Sequence, residues 1–404
     1  MKIPIRVGLV GAGMAGQAHA FGYRNAMMAP DLANLNVELR TVVDPNIALA
    51  QNVADRYGFA SVTGDIDELL HDPDVDVVSV ALPNFLHLTV LTKVLASGKH
   101  VFAEKPVGRT VNEAIDLAGK AQQSTAVTGV GFSFRRLPGL AAVAEAVAAG
   151  EVGESHTVRG WYYADYAADP AGALSWRYSQ EQSGGGALLD IGSHAIDAVQ
   201  YVAGPITRVL SADLRTVITS RPLPVEGAIG HGAIGRGGFT SPETGPVTND
   251  DTAMLTVEFA NGAHGQVTLS RIAQGIPNSL GVEVFGTGGH ARFDSIRAGE
   301  FQLFTADTIA AAHNGPRTVF TSPSHPYFTD VAAMPGGGVG TGYGEAFIAE
   351  IQQFLRCVRD GRPMDTNFDT ALSMMNVVGA ALRSAEQGQP VPVSTSPADT
   401  LASR

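Results

Sequence analysis

Three groups of residues in this 404-residue chain have types and spacings that could do chemistry. The first is Gly11-Ala12-Gly13-Met14-Ala15-Gly16, a GxGxxG that follows the apolar run Ile5–Val10. In a strand-to-helix turn the first glycine permits a tight bend. The second lets the backbone approach a pyrophosphate, and the third lets the helix lie close to the sheet. The N–H groups at the helix start then face the phosphates. Gly11, Gly13, Met14, Ala15 and Gly16 are therefore expected to contact a dinucleotide. Asp44 ends the strand-like run Val37–Val43, where an acid accepts from the adenosine ribose hydroxyls. No Lys or Arg occurs between 45 and 54, so a 2′-phosphate would meet a carboxylate without a cation. NAD is expected rather than NADP. The plainer reading of Asp44 is a turn opened together with Pro45.

The second group is Glu104-Lys105-Pro106, just after the strand-like His100–Ala103. Ligands of open α/β sheets sit outside the carboxyl ends of the strands. A lysine held there could bond a substrate hydroxyl and bias its ionisation; the alternative is a solvated loop lysine. The third group follows the triple glycine 184–186. Read as one helix over Ala187–Ala203, it places Asp190, His194, Asp197 and Tyr201 on one polar stripe. Asp190 and His194 are then i, i+4 neighbours. A carboxylate beside an imidazole is expected to raise its pKa toward that of a general base. A solvent-facing helix side is the competing reading. A metal site is not expected, because no third cluster of ligands is evident.

These groups need a scaffold. Short apolar runs alternate with helical patterns: strands at Ile5–Val10, Val37–Val43, Val75–Ala81, His100–Ala103 and Ala126–Val130, with helices between them. That alternation means βαβ units and a parallel sheet, wound right-handed into a Rossmann-type domain over 1–130. Beyond it the rhythm changes. Strand-like stretches follow one another at Ser155–Tyr163, Thr207–Thr219, Thr252–Phe259, Gly265–Arg271, Val282–Phe285 and Ala291–Phe293. A mostly antiparallel or mixed sheet is expected in an α+β domain over 131–404. Two helices, Glu345–Arg359 and Thr370–Ala385, close it. Arg221–Asn249 and Asp307–Gly344 resist assignment.

Composition narrows the function classes. The formal charge of −12 argues against sequence-independent binding of nucleic acid, which needs cations against phosphates. No apolar run is long enough to span a bilayer. The stretch Met1–Ala20 is too short in its apolar part and too broken by glycine for a secretory leader. With a single cysteine, Cys357, no intrachain disulfide or Cys-based zinc site is available, and a cytoplasmic setting is expected.

Taken together, the motifs resemble the Gfo/Idh/MocA family (glucose–fructose oxidoreductase, inositol dehydrogenase, rhizopine catabolism). The resemblance rests on GAGMAG at 11–16, VDP at 43–45, LPNFLH at 82–87, GKHVFAEKPVGRT at 98–110 and GGGALLDIGSHAID at 184–197, with NDD at 249–251 and FGTGG at 285–289. It implies a Rossmann domain followed by a domain with a large, open, mostly antiparallel sheet, whose outer face is buried in a homodimer or homotetramer. It implies that Lys105, Asp190 and His194 are catalytic and that Pro83, Asn84, His87 and Glu104 lie near the nicotinamide. Asn84 could equally cap the helix after Pro83. Trp176-Arg177 ahead of the triple glycine resembles the levoglucosan and glucoside 3-dehydrogenase-like subgroup, which puts Trp176 and Arg177 at a sugar. Tyr163 and Trp161 could stack on that sugar or simply pack within a strand. Ser133 stands where the family often has Asn.

The implied activity is oxidation of a ring secondary hydroxyl of a sugar, sugar derivative or cyclitol by NAD. The rivals are an NAD-dependent glycoside hydrolase of the same fold and a non-catalytic NAD-sensing regulator. Neither a nucleic-acid nor a membrane partner is expected.

Overall fold

The computed structural model describes residues 2–225, 240–306 and 314–394. Its first part is a six-stranded sheet built from β1 (Ile3–Val10), β2 (Leu35–Val43), β3 (Ser61–Thr63), β4 (Val77–Val80), β5 (His100–Glu104) and β6 (Thr128–Gly131). The strand order is β3-β2-β1-β4-β5-β6 and every pairing is parallel. The crossovers carry α1 (Met14–Asn25), α2 (Ile47–Tyr57), α3 (Ile66–His71), α4 (Asn84–Ala96) and α5 (Val111–Gln123). The order reverses between β1 and β4, so a crevice opens there at the carboxyl ends of the strands. Local chemistry fixes the helix ends. Asn46 accepts from Leu49 N–H at the start of α2, Gly58 ends that helix with φ +81, and Thr110 caps α5 through Glu113 N–H.

The second part begins with α6 (Pro138–Ala148) and β7 (Ser155–Ala164), then α7 (Gln180–Ser183), α8 (Ala187–Asp190) and α9 (Gly192–Ala203). The strands β8 (Ile206–Arg215), β9 (Ser220–Pro224), β10 (Thr240–Pro246), β11 (Thr252–Phe259), β12 (His264–Ser270), β13 (Asn278–Gly286), β14 (Gly289–Asp294), β15 (Glu300–Thr305) and β16 (Arg317–Phe320) follow. The chain then forms α10 (Phe328–Val331), α11 (Tyr343–Asp360), α12 (Phe368–Gln387) and β17 (Val391–Pro392). Nine strands form one sheet in the order β16-β15-β14-β13-β7-β12-β11-β8-β17. Only β12–β7 is parallel; the other pairs are antiparallel. β9 and β10 form a separate ribbon.

The Rossmann sheet and the large, mostly antiparallel sheet follow the sequence reading. Some details depart from it. β3, a three-residue edge strand, β15 and the short β17 are absent from the sequence reading. The unassigned stretches contain β9, β10, β16 and α10, while 226–239 and 307–313 lie outside the described residues. The helix expected over Ala187–Ala203 is broken at Ile191, between α8 and α9. The last long helices also return to the first sheet. Ile351, Phe354, Leu355 and Cys357 of α11 share a buried core with Val7, Leu9, Ala20 and Phe102. Burying such side chains stabilises by about 1.5–3 kcal/mol each, so α11 is tied firmly to the first sheet.

Candidate active site

The glycine loop has the shape a dinucleotide requires. Gly11 has φ +99, and a Cβ there would lie 2.2 Å from the Ala81 carbonyl oxygen. A Cβ on Gly16 would meet the Gly11 carbonyl oxygen at 1.9 Å. At Gly13 a Cβ would meet nothing within 4 Å: the loop is open where phosphates approach and closed where helix and strand touch. Met14 is 64% exposed beside it, and Ala15 continues the first turn of α1. Asp44 accepts from Ala12 N–H at 2.9 Å and from Asn46 N–H at 2.8 Å. Its carboxylate thus lies against the loop at the end of β2, in the place a ribose-binding acid occupies.

At the ends of β4 and β5 the expected residues divide into groups. Pro83 precedes α4. Asn84 makes no cap bond; its side-chain amide donates to the Ser183 carbonyl at 2.7 Å, which corrects the cap reading and links α4 to α7. His87 is fully buried. Nδ1 lies 2.6 Å from the Pro106 carbonyl and Nε2 lies 2.9 Å from the Leu82 carbonyl. Burial holds this imidazole below its ordinary titration range against the pull of both carbonyls. A neutral ring has one N–H to donate, to one of these two carbonyls, and His87 thus packs between the 82–83 turn and the 105–106 turn.

Glu104 accepts from His19 Nε2 at 3.0 Å and from the Lys105 backbone N–H at 3.2 Å. Burial pushes its carboxyl up, but the His19 bond and nearby positive charge outweigh burial and leave it below the usual range. The Lys105–Pro106 peptide is cis. Lys105 Nζ donates to the Asp190 carbonyl at 2.7 Å and lies 3.6 Å from Asp190 Oδ1.

Asp190 ends α8, so the break at Ile191 presents both its carbonyl and its carboxylate to Lys105. Tyr166 donates its hydroxyl to Asp190 Oδ2 at 2.7 Å, and Arg177 Nε stands 4.0 Å from the same oxygen. Burial alone would raise the Asp190 pKa. Lys105, Arg177 and the Tyr166 hydroxyl instead bring it down to about 2. His194, 7% exposed, lies among Phe132, Phe134 and Tyr162, with ring centroids 5.0–6.4 Å away. Its Nδ1 is buried without a hydrogen-bond partner. Burial, then the Lys105 charge, hold it well below the ordinary histidine range, against Asp190. Asp190 does pull this imidazole upward as expected, but burial and the Lys105 charge outweigh it, so the net shift is downward rather than toward a raised pKa. Arg177 stacks over Trp176 at 4.5 Å and keeps Nε and Nη1 buried and unbonded.

The fold thus brings together Lys105, Trp176, Arg177, Asp190 and His194, with Glu104 behind Lys105. Tyr163 does not join them. Along β7 from Val158 onward the even-numbered positions are buried, with Gly160 against Val199 of α9 and Tyr162 near His194. Successive side chains point to opposite faces, so Trp161 and Tyr163 lie on the outer face. There they bond Ser279 at 3.1 Å and Thr268 at 2.8 Å. Nor does the rest of the polar stripe face solvent. Asp197 takes two bonds of 2.6–2.7 Å from Arg135, whose guanidinium lies over the Tyr201 ring.

The triple glycine serves close packing. A Cβ on Gly184 would meet Arg109 O at 2.2 Å, and one on Gly186 would meet Asp250 O at 1.8 Å. The Asp250 carboxylate in turn accepts from Gly186 and Leu188 N–H. Tyr162, Tyr166 and Tyr343 were missed as site residues. Tyr166 and Tyr162 stand in an aromatic segment whose alternation could have separated the two faces. Tyr343, whose hydroxyl is 3.5 Å from Ser133 Oγ, gives no sequence signal.

The model of the oxidoreductase family with an NAD-binding Rossmann fold matches residues 5–132, and that of the GFO/IDH/MocA C-terminal domain matches 140–292. Levoglucosan dehydrogenase of Pseudarthrobacter phenanthrenivorans is 36% identical over 94% of this chain and 96% of its own length. The scyllo-inositol 2-dehydrogenase (NAD(+)) of Bacillus subtilis is 27% identical over 97% of each. Among solved structures, levoglucosan dehydrogenase in complex with NADH and levoglucosan superposes with a TM-score of 0.88. It is 33% identical and covers 97% of this chain and 100% of that one.

Proposed function

The chain belongs to the GFO/IDH/MocA oxidoreductase family, and on that premise we propose that it uses NAD to oxidise a ring secondary hydroxyl of a sugar, anhydrosugar or cyclitol. The observation that carries this reading is that a buried, unpartnered His194 Nδ1 and the unpartnered Arg177 Nε and Nη1 stand around the Lys105–Asp190 pair. An orphaned buried polar group costs about 1–3 kcal/mol, and a polyhydroxylated ring supplies the missing partners. The Gly11–Gly16 loop, open at Gly13, and Asp44 fit the cofactor. When bound, its nicotinamide supplies the hydride acceptor.

In this reading residues 1–130 hold the dinucleotide and 131–404 hold the substrate. His194, neutral through burial, takes the hydroxyl proton. Lys105 directs its remaining N–H donors at the same oxygen and stabilises the charge that develops there. Asp190 stays ionised, anchors Lys105 and accepts from a neighbouring hydroxyl. Arg177, braced on Trp176, donates to another ring oxygen. The outer sheet face, with Trp161, Tyr163 and Met254 (60% exposed), supports a homodimer or homotetramer, and the single cysteine fits a cytoplasmic setting. No helix among the described residues is long and apolar enough to cross a membrane.

The test is NAD+ and NADP+ reduction over levoglucosan, a simple glucoside, glucose, galactose, xylose, myo-inositol and scyllo-inositol. Turnover with NAD+ on one of these is expected. Turnover with NADP+ alone would overturn the Asp44 argument. Silence from protein that binds NADH would overturn the dehydrogenase reading.

A further inference from the structure

Behind Glu104, away from the substrate side, lies a buried cluster that the chemistry above does not use. His19 of α1, Glu104 of β5 and Glu350 of α11 each offer a polar atom within 4.8 Å of the others. Two of the three are satisfied. His19 Nδ1 lies 2.9 Å from Ser79 Oγ and Nε2 lies 3.0 Å from Glu104 Oε1, while the other Glu104 oxygen takes the Lys105 N–H. Glu350 is not satisfied. It is 1% exposed, and neither carboxyl oxygen has a hydrogen-bond partner.

We propose that Glu350 is a positioning residue, whose carboxyl group shares one proton with Glu104 and so fixes the Glu104 carboxylate against His19 and the Lys105 backbone. Two bare carboxylates in a dry core would repel, and a buried ion without a partner is very costly. Lys105 is committed to Asp190, and Arg136 spends Nη1 and Nη2 on Asp365 and Tyr327, which leaves only its Nε unpaired and out of hydrogen-bond reach of Glu350. One proton removes the conflict, and because neither Glu350 oxygen lies within hydrogen-bond distance of Glu104, a single water carries it between them. The groups facing Glu350 are Glu104 from β5, His19 and Tyr23 from α1, Arg136 from the turn before α6, and Tyr343 on its own helix. Burial, then the Glu104 charge, push its carboxyl well above the usual range, with Arg136 opposing.

A metal ion fits less well. Tetrahedral bonds of about 2.0–2.1 Å set ligand atoms about 3.3 Å apart. Here the His19–Glu104 pair is already joined by a hydrogen bond of 3.0 Å, and the Glu350 oxygens lie beyond hydrogen-bond distance of both. The arrangement instead makes α11 a brace. Glu350 lies some 245 positions beyond Lys105 in the sequence, yet it bears on the turn that carries this lysine.

The experiment compares the full chain with its Glu350→Gln and Glu350→Ala variants. Gln keeps the shape of a neutral acid but has no proton to lose. Unfolded Glu350 ionises above about pH 4.3 while folded Glu350 keeps its proton, so the unfolded state binds fewer protons and wild-type stability falls as pH rises. Denaturation at pH 5 and pH 8.5 should show Glu350→Gln gaining on wild type by up to tenfold in the folding constant per pH unit. A gap that does not change with pH would overturn the shared proton. So would a stoichiometric metal in wild type that is lost in Glu350→Gln.

The activity arm, with levoglucosan and NAD+, rests on the dehydrogenase reading. Glu350→Ala should lose tenfold or more in kcat with KM within threefold, and Glu350→Gln should restore it. Full kcat in Glu350→Ala would overturn the positioning role. If wild type turns nothing over, that reading fails by itself. The denaturation arm and NADH fluorescence titration then decide the proposal, with NADH affinity expected to fall at least threefold in Glu350→Ala and to return in Glu350→Gln.

Discussion

Replacing Lys105 by alanine tests the site most directly. Its ammonium makes one short bond to the Asp190 carbonyl and lies 3.6 Å from the Asp190 carboxylate, and the side chain is 11% exposed. Nothing in these contacts reaches the Gly11–Gly16 loop or Asp44. The substitution should therefore spare the dinucleotide and strike the chemical step. Loss of a single donor at a developing oxyanion costs about 2.7–4 kcal/mol, on the order of 10²–10³ in kcat. Lys105 also keeps Asp190 ionised, since it is the foremost influence pulling that carboxyl down. Its removal should raise the Asp190 pKa. The assay is steady-state NADH formation alongside fluorescence titration of NADH binding. A fall of at least a hundredfold in kcat, with NADH affinity within threefold, is expected. A folded variant that loses NADH binding, or that changes KM alone, would refute the division of roles.

Three further outcomes follow from the same geometry. Tyr166→Phe removes one charge-assisted bond to Asp190 worth about 1.5–3 kcal/mol, so kcat/KM should drop roughly 10- to 100-fold while the circular dichroism spectrum is unchanged. Because burial and Lys105 lower the His194 pKa, the acid limb of log kcat/KM should fall below pH 6.5, as the imidazole gains its proton. A limb at or above pH 7 in the pH–rate profile would contradict that assignment. Arg271 and Asp251 form an ion pair with both side chains fully buried, and Arg271 also bonds the Arg177 carbonyl and Asn249. Arg271→Met leaves Asp251 an uncompensated buried charge and should cost about 3–5 kcal/mol in urea denaturation.

The sequence by itself determined what depends on neighbours along the chain. The βαβ rhythm, the glycine turn, the capped helices and the placing of Asp44 and Lys105 at strand ends follow from period, turn chemistry and sheet topology. Those residues act within a few positions of the motif that announces them. Helical periodicity also placed Asp190 and His194 on adjacent turns, but it could not foresee the break at Ile191. That break turns a backbone carbonyl toward Lys105, and it follows from packing against β12 and from the Asp250 bonds to Gly186 and Leu188.

Tertiary structure decided the rest. Alternation along β7 separates Tyr162 from Tyr163, yet only the helices laid on one face of the sheet decide which of them meets His194. Asp197 belongs to a buried pair because Arg135 arrives from another element. Glu350 lacks partners because α11 folds back onto α1. Burial and the charge of distant residues set whether an imidazole or a carboxyl group holds its proton, and neither quantity is carried by local spacing.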